Sequence, residues 1–274
     1  MNLKLQQIKE MYLDVITEYN TTPLSRNDGW VYNWSDFGFI ELQKIAKYLT
    51  MNGTFVDIGT GRGIAPRFVK KIKESVISFD SKSAAGSSAI ENVKLANIQG
   101  EFCDMYNEKL PLSDNSSDLV FFGDVIEHLL HSPKPVLMEF NRILSKEGVV
   151  IATTPNACRL TVRLKMLLGY SNWANIYEFF DKDFHPGHHH EYTIDEFKKI
   201  FELTGFEIVE FVLYEENLRS EKLKNFTDIK TQDRNWQKDK KDSLFGRIMK
   251  FLLLQITNIF PTLRSNMLII ARKK

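Results

Sequence analysis

At 274 residues, with 43% hydrophobic and 26% charged side chains, the chain has the length and composition of a globular protein with a substantial core. A net charge of +1 argues against a dedicated nucleic-acid binder, and two cysteines, Cys103 and Cys158, are too few for a disulfide scaffold or a zinc motif, so a reducing cytoplasm is the expected setting. No run of about 20 apolar residues is present to span a bilayer, and Met1 to Glu10 lacks the apolar stretch of a secretory signal.

In chain order, residues 1–50 read as a helical N-terminal cap. Phe39, Leu42, Ile45, Ala46 and Leu49 recur at helical spacing on one face. An irregular aromatic stretch before them holds Trp30, Tyr32 and Trp34, either as cap packing or as a wall of the ligand pocket. Phe55 to Gly63 then reads as a buried strand running into a glycine-rich turn, with Pro66 placed to open the following helix. Gly59, Gly61 and Gly63 alternate with Thr60 and Arg62, a spacing that suits backbone lying directly against a bound molecule. The next strand, Ser75 to Phe79, ends in Asp80, followed by Ser81. An acid about twenty residues past the first glycine, at the tip of the neighbouring strand, is placed to accept hydrogen bonds from ribose hydroxyls. A dinucleotide fingerprint would want its third glycine one position later, where this chain has Ile64.

Asp57 followed by Gly59-x-Gly61-x-Gly63 resembles the first motif of the class I S-adenosylmethionine (SAM) dependent methyltransferases. The resemblance implies a Rossmann-like α/β fold with a doubly wound seven-stranded sheet. It also implies that Asp57 supports the turn and the methionine amino group, and that Asp80 holds the ribose. A third strand, Ile98 to Phe102, closes in Cys103-Asp104-Met105, where the same family accepts a hydrogen bond from the adenine amino group on a carboxylate, here Asp104. The turn Leu110 to Asp118, the buried strand after it and the cluster Gly123-Asp124-Val125-Ile126-Glu127-His128-Leu129 are similar to a run in small-molecule members such as the ubiquinone-pathway O-methyltransferases. Gly123 and Asp124 join the expected cofactor contacts with Thr60. His128 is the expected base, its ordinary pKa lying near working pH.

A helix from Pro135 to Ser145 and a fifth strand, Val149 to Thr153, continue the alternation, and Thr154-Pro155-Asn156 matches the ending common in that group. Residues 157–192 break the rhythm with aromatics including Tyr170, Trp173 and Tyr177 and with His188-His189-His190, as expected of a substrate lid. Thr193-Ile194-Asp195-Glu196 is a capping box for a helix, Phe206 to Tyr214 alternates as a strand, and Asn266 to Arg272 fits the antiparallel seventh strand of the family.

The expected organisation is a single methyltransferase domain over 1–274: cap 1–50, SAM-binding core 51–156, lid 157–192, and sheet completion 193–274 with an insertion at 216–262. Within the insertion, 244–260 is apolar over most of its circumference. Two readings of it stay open: a helix packed on the domain or at a homodimer seam, and a helix in peripheral contact with the inner face of the membrane.

The expected activity is methyl transfer from SAM to a small-molecule or lipid-linked acceptor, at a hydroxyl oxygen of a glycan sugar or a quinone-like ring. The alternatives are a metal-assisted RNA 2′-O-methyltransferase and a non-catalytic SAM-binding subunit. Asp124, Glu127 and His128 at i, i+3 and i+4 would share a face of one helical turn, with a loop histidine as a further ligand, in the manner of the small-RNA 2′-O-methyltransferases. Asp124 departs from that pattern, which has Glu, and no metal is assigned.

Overall fold

The computed structural model describes residues 3–23, 36–50, 53–170, 180, 187–216 and 244–274. The aromatics Trp30, Tyr32, Trp34, Trp173 and Tyr177 and the charged stretch 217–243 lie outside them.

The elements in chain order are α1 (Leu5–Asn20), α2 (Asp36–Tyr48), β1 (Thr54–Ile58), α3 (Ile64–Lys70), β2 (Val76–Asp80), α4 (Ala84–Leu95), β3 (Gln99–Phe102) and β4 (Ser117–Gly123). There follow a 3₁₀ turn (Ile126–His128), α5 (Lys134–Ile143), β5 (Leu144–Pro155), α6 (Leu160–Leu167), α7 (Ile194–Leu203), β6 (Phe206–Tyr214), α8 (Leu244–Ile259), a second 3₁₀ turn (Pro261–Leu263) and β7 (Asn266–Lys273). The strands form one seven-stranded sheet in the order β3-β2-β1-β4-β5-β7-β6. The first five are parallel, and β7 runs antiparallel between β5 and β6.

The central strands read as continuous apolar runs because both faces of the sheet are covered. Phe55, Leu119, Ile151 and Ile270 point to the face packed by α1, α2, α3 and α4. Their neighbours Val56, Val120, Val150 and Ile269 point to the opposite face, packed by α5 and α7. Phe140 of α5 sits fully buried with its ring edge-on to Phe122, centroids 5.0 Å apart. Removing such a ring costs about 3–5 kcal/mol, so these faces hold the strand tips at fixed heights.

The expected strands are all present, with shifted boundaries. α5 ends at Ile143, and β5 begins at once with Leu144, where a helix to Ser145 and a turn are expected. Leu144 pairs with Ser117 across a register shift to Leu119–Val149, so the polar residues 145–147 fall in the irregularity of one long strand. α3 starts at Ile64 after Gly63 as its N-cap, and Pro66 sits within the first turn, where a missing N–H costs nothing. The lid segment contains a helix, α6. The α7 capping box is formed: Thr193 Oγ1 accepts the Glu196 N–H, and Glu196 Oε2 accepts the Thr193 N–H at 2.8 Å.

Candidate active site

Parallel strands carry their loops to one edge, and in an open sheet that edge is where ligands bind. At the tips of β1 and β2 the backbone after Ile58 turns through three left-handed glycines, Gly59 (φ 74°), Gly61 (φ 51°) and Gly63 (φ 67°). They serve different ends. A Cβ on Gly59 would stand 2.2 Å from Val125 Cγ2 and one on Gly63 2.7 Å from Val93 Cγ1, so both let neighbouring elements approach. A Cβ on Gly61 would meet only the Gly59 carbonyl at 3.9 Å, so this is the glycine with room in front of it.

Asp57 is buried beneath the turn and accepts a hydrogen bond from Ser78 Oγ at 3.3 Å. Burial lifts its pKa to about 7, against the opposing hydrogen bonds of Thr60 and Ser78. Asp80 at the end of β2 accepts the Ser81 N–H on one oxygen (2.7 Å) and the Gly61 N–H on the other (3.3 Å). Burial raises its pKa too, and backbone N–H donors hold the rise in check. Beyond β3, Cys103 is buried with its thiol pushed up to about 11 by that burial and by nearby carboxylates. Asp104 turns onto its own loop: it accepts from Asn107 Nδ2 at 2.8 Å and from the Tyr106 N–H at 3.1 Å, which lower its pKa. Met105 is half-buried beside it.

The tips of β4 and β5 hold a second group of acids. Gly123 lies against the ring of Phe121, and Asp124 takes a left-handed backbone (φ 52°), rare for a non-glycine. Its N–H donates to the Thr153 carbonyl, and Thr153 Oγ1 stands 3.2 Å from Asp124 Oδ1 and 3.0 Å from Glu41 Oε1 of α2. One hydroxyl proton cannot serve two carboxylates at once, so this pairing favours the protonated form of one of the acids. The electrostatics agree: burial lifts Asp124 to about 6 and, with the charge of Asp124 adding to it, raises Glu41 well above the ordinary range.

Glu127 points inward, fully buried, with Oε2 accepting from Thr154 Oγ1 at 3.0 Å and Oε1 without a hydrogen-bond partner. Burial first, then Asp124, raises its pKa well above the carboxylate range. The exposed His128 lies at the mouth, its Nδ1 3.1 Å from the Gly187 carbonyl. A carbonyl can only accept, so Nδ1 carries the hydrogen and Nε2 the lone pair in the neutral ring. His188 stacks edge-on against it with centroids 4.8 Å apart, and its Nδ1 meets Glu191 at 2.8 Å. Arg159 grips Glu191 with both guanidinium nitrogens, and despite burial His188 and Arg159 hold Glu191 at about 2. The loop is tied down by the His189 and His190 N–H groups, which donate to the Glu127 carbonyl.

The expected shared face of Asp124, Glu127 and His128 is absent. The left-handed Asp124 turns away to Thr153, while the tight 3₁₀ turn sends the Glu127 side chain inward and His128 to the mouth with their ligand atoms still near each other. Among the described residues the group able to hold a cation is instead Glu127, His128 and His188, with ligand atoms within 4.8 Å of one another. Sequence reading also missed Glu41, one of several polar residues on α2 and not marked out by spacing, and Arg159, which nothing in the chain order links to Glu191.

The chain matches the methyltransferase domain family over residues 39–211. A ribosomal protein L11 methyltransferase of Thermosipho melanesiensis is 31% identical over 108 residues, covering 39% of this chain and 40% of the relative. A malonyl-[acyl-carrier protein] O-methyltransferase of Marinomonas sp. is 23% identical over 154 residues, 55% and 57% of the two chains, so the chain spans about half the length of the curated relatives it matches. A SAM dependent methyltransferase from Archaeoglobus fulgidus superposes with a TM-score of 0.53 at 20% identity, covering 85% of this chain and 92% of that one, a likeness of fold.

Proposed function

We propose that this chain, which belongs to the SAM-dependent methyltransferase domain family, methylates a hydroxyl oxygen of a small-molecule or lipid-linked acceptor, such as a glycan sugar or a quinone-like ring, in the cytoplasm or at the inner face of its membrane. The observation that carries the reading is the buried Asp57 under a left-handed turn that is open only over Gly61. A carboxyl lifted to about 7 by burial, with no cation against it among the described residues, fits the ammonium of a methionine arm. In this reading Asp57, Thr60, Gly59, Gly61 and Gly63 hold that arm. Asp80 and Ser81 take the ribose, and Cys103, Asp104 and Met105 border the adenine. Gly123 and Asp124 floor the methyl-bearing end. When bound, SAM supplies a methyl carbon activated by its sulfonium.

The residues around β4 and β5 act on the acceptor. His128 accepts the hydroxyl proton on Nε2, with the Gly187 carbonyl fixing its tautomer at Nδ1. As the proton arrives the ring becomes cationic, with its Nδ1–H still held by the Gly187 carbonyl. His188, oriented by Glu191 and Arg159, walls the side of the acceptor. Orientation of this kind can contribute about 7–11 kcal/mol to a displacement.

The test is to incubate the full chain with methyl-labelled SAM and separate aqueous and lipid extracts of cells. Labelled product that disappears in His128→Ala supports the reading. Calorimetric SAM binding with no labelled product in any extract leaves a non-catalytic SAM-binding subunit in its place.

A further inference from the structure

α8 has two apolar sides, and among the described residues one of them is covered. Its inner side, with Leu253 and Thr257 buried, packs on Leu160 of α6 together with Leu254 and Leu263. Its outer side presents Ile248, Phe251, Leu252, Ile256 and Ile259, again three and four residues apart, with Phe251 60% and Ile259 69% exposed. The end of α6, the helix on which α8 packs, is also apolar and exposed, with Leu167 81% exposed and Leu168 62%. A helix apolar over most of its circumference calls for a second apolar neighbour, and an exposed apolar stripe of this length marks a place of attachment.

Charge decides the neighbour. Among the residues whose side chains are described, α6 and α8 carry Arg163, Lys165 and Lys250 and no Asp or Glu. A two-fold contact between copies would bring two such basic rims together, whereas an anionic bilayer complements both the charge and the apolar stripe. Placement agrees. α6 follows the C-terminal end of β5, and α8 leads into β7 at Asn266, which pairs with Pro155. Both helices therefore lie at the sheet edge that carries Gly59, Asp80 and His128. No helix among the described residues is long and apolar enough to cross a membrane, so the contact lies in the plane of the surface.

We propose that the outer face of α8 with the end of α6 docks this protein on an anionic lipid surface, its apolar side chains entering the boundary between headgroups and acyl chains. The full chain should co-sediment with vesicles of phosphatidylcholine and phosphatidylglycerol, bind vesicles of phosphatidylcholine alone more weakly, and be released by salt. The double substitution Phe251→Ser and Ile259→Ser should reduce binding by about tenfold or more, at an unchanged melting temperature. Absence of binding, indifference to lipid charge, or indifference to the double substitution overturns the proposal. So does a dimer in sedimentation velocity that the same substitutions dissolve, which would assign the face to a second copy. Vesicle binding is read without donor or acceptor, so it stands or falls apart from catalysis.

Discussion

The two halves of the site are built on opposite plans. At the tips of β1 and β2, Asp57, the glycine turn and Asp80 come from consecutive strands and are held by bonds within that short stretch, such as the Gly61 N–H on Asp80. At the tips of β4 and β5, acids and histidines are gathered from far apart: Glu41 meets Thr153 across 112 positions, and Arg159 meets Glu191 across 32. The first half is rigid by local geometry and suits a ligand that is always the same. The second depends on tertiary packing and a loop, and can change with the acceptor while the first stays fixed.

If that division holds, substitutions should separate by side. The largest effect is expected at His128→Ala: turnover falls about 10²–10⁴-fold while calorimetric SAM affinity is unchanged. Normal turnover would make His128 structural and move proton removal elsewhere. Next is Gly59→Ala, whose methyl would meet Val125 Cγ2 at 2.2 Å in a left-handed backbone. A loss of about 2–4 kcal/mol in urea unfolding is expected, against about 1–2 kcal/mol for Gly61→Ala, where only the backbone objects. Equal losses would mean that Gly59 does not couple the two halves. Asp80→Ala should weaken SAM binding about 10–100-fold with little change in folding, and unchanged affinity would remove Asp80 from the ribose site.

A pH slope in the ligand-free protein tests the first half by a separate route. Asp57 has a folded pKa of about 7 against an ordinary 3.8, so between these values the folded state binds more protons than the unfolded. Its contribution to stability therefore falls as pH rises across that window, by up to about 1.4 kcal/mol per unit. Asp57→Asn should flatten that part of the slope in unfolding measured from pH 4 to 8. An identical profile would mean that Asp57 ionises freely.

The sheet and the first half of the site were legible because their signals are local. Apolar runs bounded by turn residues gave every strand, and the left-handed turn needs glycines wherever it occurs. Boundaries failed where pairing overrode composition: Leu144 enters β5 because Ser117 is across from it, although the polar residues after it read as a turn. The second half was half legible. His128, after a strand end, and His188, in a histidine run, stand out in the sequence, but the partners that set their tautomers, Gly187 and Glu191, are fixed by a loop whose course only the folded chain reveals. The helical face assigned to Asp124, Glu127 and His128 rested on an assumed α-helix, and a left-handed residue followed by a 3₁₀ turn removes it. Glu41 had no readable signal, because α2 carries other polar residues, Asp36, Gln43, Lys44 and Lys47, from which nothing sets it apart.

The antiparallel β7 lies between β5 and β6, although it is made after both. During synthesis β6 leaves the ribosome with no strand to join, and the flank of β5 stays open until Asn266–Lys273 emerges and closes both sides at once. Nascent chains halted before Asn266 would thus lack two strands of the finished sheet instead of one, and would offer an unpaired, apolar β5 margin to chaperones or to one another.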